Sequence, residues 1–107
     1  MIIRDWNIEA MTGYTPKTTF YTDFSIADNF GAEAIKGTYY RAFTHWKKNV
    51  EYVTELVMAL NWKIWEHYHS GNEKIARLYD QLWREASEWC CENLEGEDLE
   101  YYFRTID

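Results

Sequence analysis

Three histidines, two cysteines and eighteen carboxylates are the side chains with which this chain could do chemistry, and their spacing limits what they can do. His67 and His69 stand two residues apart. On a helix that spacing turns the two rings to opposite sides, whereas a shared metal ion calls for ligands three or four residues apart, and the neighbouring Glu66 does not repair the geometry. We therefore assign no metal ligand and expect His45, His67 and His69 at the surface or at helix ends, where imidazole also suits the negative end of the helix dipole. Cys90 and Cys91 are adjacent, and neighbours on a helix point about 100° apart, so they cannot form an ordinary disulfide with each other. Two free thiols imply a reducing compartment. A nucleophilic thiol needs a neighbouring base or a helix amino terminus, and Cys91 instead lies late in a helix between Glu88 and Glu92.

Carboxylates four apart, Glu51 with Glu55 and Glu88 with Glu92, would serve acid-base or metal chemistry only if they converged with others in a dry cleft. A solvated helix face is the expected reading. The chain has no glycine-rich phosphate loop, no nucleophile elbow and no zinc spacing. No catalytic residue and no cofactor is assigned, and an enzyme is not expected.

Charge points elsewhere. Residues 85 to 107 hold eight acids and one base, Arg104, while the first 84 residues hold ten of each, so the whole net charge of −7 belongs to the last quarter. Glu85, Glu88, Glu92, Glu95, Glu97, Asp98 and Glu100 would repel polyanions and attract a basic protein surface, provided the fold does not scatter them. Direct nucleic-acid binding is not expected, because the bases are interspersed with acids and only Lys47 and Lys48 cluster.

The elements that must carry these groups are helical. At 107 residues with 47% apolar side chains the chain suits one domain. Its longest purely apolar run, Leu56 to Leu60, is far shorter than the roughly 20 residues of a membrane span. The opening Met1-Ile2-Ile3-Arg4-Asp5-Trp6 lacks the apolar stretch of a secretory signal, and a cytoplasmic location is expected. Residues 1 to 22, with Gly13 and Pro16 and an alternating Trp6, Ile8 and Ala10, read as an extended arm or short strand.

From Thr22 or Asp23 a short helix runs to Phe30 and stops at Gly31. Ile35, Tyr39, Ala42, Phe43 and Trp46 then share one face of a helix from about Ala32 to Lys48, with Asn49 as the boundary, although no proline or glycine enforces it and a helix continuous through this point is the alternative. A third helix from Val50 to His69 is apolar on two sides. Val53, Leu56, Val57, Leu60, Ile64 and Tyr68 form its main stripe, and Met58, Trp62 and Trp65 lie about 100° to 180° away. After Ser70-Gly71-Asn72 a fourth helix carries Ile75, Leu78, Tyr79, Leu82, Ala86, Trp89 and Cys90, ending at Glu95-Gly96, and a last short helix returns Leu99, Tyr102 and Phe103 to the body. The expected fold class is all-α, a compact bundle of four to five helices over residues 23 to 107, with the two longest forming an antiparallel hairpin.

The runs FYTDFSIADNFGAEAIKGTYYRAF from Phe20, TELVMALNWKIWEHY from Thr54 and YYFRTID from Tyr101 resemble a group of small acidic proteins carried by phages and mobile elements of gut Firmicutes. The resemblance spans about four fifths of the chain, excludes residues 1 to 19 and brings no catalytic motif. It implies a context: small acidic proteins of such elements include inhibitors of nucleic-acid-directed immunity, of the anti-CRISPR or anti-restriction type, many of which occupy a basic channel on their target. The expectation is thus a binding protein that blocks a basic surface of a host defence effector. The acids of residues 85 to 100 would steer it, and Met58, Trp62 and Trp65 would supply desolvated contact; the other readings are that this aromatic face packs against the short helices or the arm and that the acids serve only solubility. The alternative is a structural or regulatory homo-oligomer in which Trp62 and Trp65 pack against a second copy.

Overall fold

A computed structural model describes residues 16 to 106, with side chains from residue 20 onward. These residues form five helices: α1 (Pro16–Asp28), α2 (Ala32–Trp46), α3 (Val50–His69), α4 (Glu73–Asn93) and α5 (Gly96–Ile106). No strand occurs among them, so the all-α class holds; the strand-like Trp6, Ile8 and Ala10 lie outside the described residues.

The first helix begins at Pro16, six residues before Thr22, so residues 16 to 22 belong to the helical body and not to the arm. Proline is at home in a first helical turn, where its missing N–H would have had no partner and its fixed φ already suits the helix. This longer helix sets Phe20, Phe24 and Ala27 four and three residues apart on one buried face. Gly31, at φ 104°, separates α1 from α2 in a backbone conformation that only glycine adopts without strain. The boundary between α2 and α3 falls at Asn49, whose side chain accepts a hydrogen bond from the Tyr52 backbone N–H at 3.1 Å and so ends any continuous helix there.

The central helix is α3. It packs most extensively on α4, then on α1 and α5. Val53, Leu56, Val57, Leu60 and Ile64 are buried along it, and each fully covered Leu contributes roughly 1.5 to 3 kcal/mol relative to exposure. The α3–α4 hairpin turns through Gly71, at φ 80°, and the Asn72 N–H reaches back to the His67 carbonyl at 2.8 Å. This closes the helix carboxy terminus in the usual left-handed glycine manner. On α5, Tyr102 is fully buried and pairs with Ser87 of α4 at 2.8 Å.

Tyr68 departs from the expected stripe: it is 47% exposed. At 3.6 residues per turn Tyr68 sits about 80° from Leu60, while His67 sits about 20° from it, so the inward position in the last turn falls to His67.

Candidate functional site

The outward side of α3 is aromatic. Trp62 is 58% and Trp65 55% exposed, and the Trp65 ring lies 6.3 Å from Tyr68 and 6.1 Å from His69. Met58 is half-buried. With Val57, Asn61, Trp62, Trp83 and Ile106 it lines a groove of about 150 Å³ between α3, α4 and the end of α5. Met58, Trp62 and Trp65 are thus brought together on one surface. Indole groups held on a rigid helix beside a shallow groove are frequent anchors of a protein contact, since covering them removes much apolar area from water at little entropy cost, and the flexible thioether of Met58 adapts to what lies on it.

The acids are all exposed, and among the described residues none of Glu85, Glu88, Glu92, Glu95, Glu97, Asp98 and Glu100 lies in an ion pair. The fold nonetheless divides them. Glu85, Glu88 and Glu92 share one flank of α4 within about 60°. Glu85 is tied inward, accepting hydrogen bonds from Tyr39 and Tyr40 at 3.3 Å each. Burial first, and then the Glu85 carboxylate, push the Tyr39 hydroxyl well above the usual phenol range. At the α4–α5 corner, Glu95 and Asp98 line a groove of about 330 Å³ together with Lys47 and Lys48. Glu97 and Glu100 point elsewhere around α5. The field is therefore a flank and a corner, the corner partly offset by two lysines.

The structure also assembles a polar centre that the spacing of the histidines does not announce. Lys63 is 0% exposed, yet its ammonium lies 2.7 Å from Asp28, 2.8 Å from Glu66 and 3.1 Å from the Ser25 hydroxyl, with the Tyr21 ring 4.9 Å away. Tyr79 donates to Asp28 at 2.6 Å, Tyr21 donates to Glu66, and His67 Nε2 lies 3.0 Å from Asp28. His67 stands in the last turn of α3, as expected of a helix-end histidine, but is only 7% exposed, because α1 covers this side of α3 and delivers Asp28 as its partner.

Burial acts against the ionised forms of Lys63, Asp28 and Glu66. The hydrogen bonds outweigh it, holding the Lys63 ammonium above its ordinary value and the Asp28 and Glu66 carboxyls below theirs. Ligand atoms of Asp28, Glu66 and His67 do converge within 4.8 Å. The cation they require is already supplied, since the Lys63 ammonium bonds both carboxylates at hydrogen-bond distance. We read the cluster as the node that fastens α1 to α3 and α4. Its signal in the sequence is the position of Lys63 and His67 on the buried stripe, three residues after Leu60 and three after Ile64.

Cys90 is buried, and burial first, with Cys91 beside it, pushes its thiol up to about 12; Cys91 is exposed. Neither has the surroundings of a nucleophile. His45 and His69 are exposed as expected. Among the described residues no helix is long and apolar enough to cross a membrane. Comparison with protein-family models, curated proteins and solved structures gives no match.

Proposed function

We propose that this chain is a small acidic protein-binding module that docks on a basic surface of a host protein, and that its target is an effector of nucleic-acid-directed defence, which it inhibits in the anti-CRISPR or anti-restriction manner. The observation that carries the docking reading is the exposure of Trp62 and Trp65, each more than half open beside the Met58 groove. A partner that covered both rings on this one rigid face would remove a large apolar area from water. The choice of a basic target rests on the exposed acids of α4 and the α4–α5 corner, and the choice of a defence effector on the sequence resemblance. In this reading charge sets the rate of encounter and the aromatic face sets the lifetime of the complex.

The test is a DNA-cleavage assay with purified CRISPR effector complexes and restriction endonucleases, run at low and at physiological salt. Native protein inhibits at least one of them. The variant with Glu88, Glu92, Glu95 and Glu97 all changed to Lys inhibits less, with the difference largest at low salt. Trp62→Ala with Trp65→Ala abolishes inhibition at both. Full inhibition by both variants would remove these surfaces from the mechanism.

A further inference from the structure

The outward positions of α3 have a register of their own. Glu51, Met58, Trp62, Trp65 and His69 follow one another at spacings of seven, four, three and four, which keeps them within about 60° around the helix. That is the alternation of a seam along which one helix packs on another, and it repeats on the outward side of a helix whose inward side is already filled. The seam is also self-complementary when reversed. With a two-fold axis beside residue 60, Met58 meets Trp62 and Glu51 meets His69. Glu51 and His69 are both exposed at opposite ends of α3, and the Glu51 carboxylate can accept a hydrogen bond from an imidazole N–H. Reversed pairing further sets each positive helix amino terminus beside a negative carboxy terminus.

We infer that this face of α3 pairs antiparallel with the same face of a second copy. The inference rests on the docking reading and deepens it: the second copy covers the aromatic face until a basic target takes its place. Covered Trp and Tyr side chains bury about 150 to 250 Å² each. With Trp62 58% and Trp65 55% exposed, a two-fold pair gains roughly 500 Å² from these rings on both copies. Met58, Asn61 and Ile106 extend this toward the roughly 1,200 Å² at which specific interfaces begin. Such a pair is weak and depends on concentration, which suits a surface that must later be given up to a target.

Sedimentation velocity of the full chain from about 10 μM to about 1 mM tests it, circular dichroism confirming that each variant is folded. The native chain passes from monomer to dimer over this range. Trp65→Ala raises the dissociation constant about tenfold or more, and Glu51→Lys alone and His69→Glu alone each weaken the dimer. The two charge changes combined restore it, because the ammonium introduced at one end of α3 then faces the carboxylate introduced at the other end of the second copy, twice across the axis. A monomer at all concentrations, a dimer indifferent to Trp65→Ala, or a charge-swapped pair no better than the single changes overturns the inference. A monomer that still inhibits a nuclease through Trp62 and Trp65 would leave the docking reading standing alone. A dimer that inhibits none would leave only the pairing.

Discussion

The ammonium of Lys63 lies 2.7 Å from the carboxylate of Asp28, across the junction of α3 with α1, and the Lys63 side chain is wholly covered. A charge so placed is tolerated only while its partners remain, since water cannot reach it. Asp28 stands at the end of α1, so this bond and the Tyr79 hydrogen bond to the same carboxylate fasten that helix to the rest of the bundle.

Changing Lys63 to Met keeps most of the volume and removes the cation from two carboxylates, leaving Asp28 with Tyr79 and His67 and Glu66 with Tyr21. The expected loss is about 3 kcal/mol, the lower end for a broken buried pair because the Glu66 side chain is 38% exposed and keeps some water. Urea denaturation at neutral pH measures it. A loss below about 0.5 kcal/mol would mean the node holds nothing together.

Tyr79→Phe removes one hydrogen bond to Asp28 and leaves the ring packed edge-on to Phe24 at 5.5 Å. The expected cost is about 1 kcal/mol. Combined with Lys63→Met it should be less than additive, because both changes act on the same carboxylate, and a double-mutant cycle reads that difference.

The node also sets a pH window. Asp28 and Glu66 titrate below their ordinary values of 3.8 and 4.5, so what they contribute is complete above those values and disappears as pH falls through the lower folded-state ones. Lys63 titrates above 10.5, so its contribution is complete below 10.5 and disappears as pH rises past the folded-state value. The melting-temperature difference between native protein and Lys63→Met should therefore be widest from about pH 5 to pH 10 and should shrink on both sides. A difference that stays constant from about pH 2 to about pH 12 would contradict the assignment.

Much of this architecture is legible in the sequence. The stripe from Val53 to Ile64, the Gly71 turn and the face from Leu78 to Cys90 follow the helical period, and each packs where that period places it. Asn49 marks a boundary that no proline or glycine enforces, and its side-chain cap on Tyr52 explains why. What the period cannot show is pairing across elements. His67 reads as a helix-end residue until α1 brings Asp28 to it, and Lys63 has no role assigned from the sequence, yet three acceptors from two helices converge on its ammonium. Pro16 obscures the start of α1, because proline signals a turn as readily as a first helical residue. The acids of residues 85 to 100 form one run in sequence, yet the break at Gly96 divides them between two helices and sets Glu95 and Asp98 on a groove with Lys47 and Lys48.

The two thiols should separate cleanly. One equivalent of a thiol reagent such as Ellman's reagent should react with native protein, at exposed Cys91, and a second only after unfolding, since Cys90 is buried and its thiol is pushed up to about 12. Two fast equivalents under native conditions would mean that α4 is not packed as described.

Trp62→Ala and Trp65→Ala should each change stability by less than about 1 kcal/mol, because both rings are more than half exposed, whereas Leu60→Ala in the core should cost about 2 to 5 kcal/mol. Urea denaturation of the three variants compares them. Core-sized losses at the two tryptophans would assign that face to folding and not to docking.

The docking claim is tested most directly by phage plating on bacterial hosts that carry a defined CRISPR or restriction system and express this chain. The account predicts that native protein restores plating on at least one such host and that the doubly substituted Trp62→Ala, Trp65→Ala protein, present at equal level, does not. Equal restoration by both proteins, or none by the native protein on any such host, would contradict it.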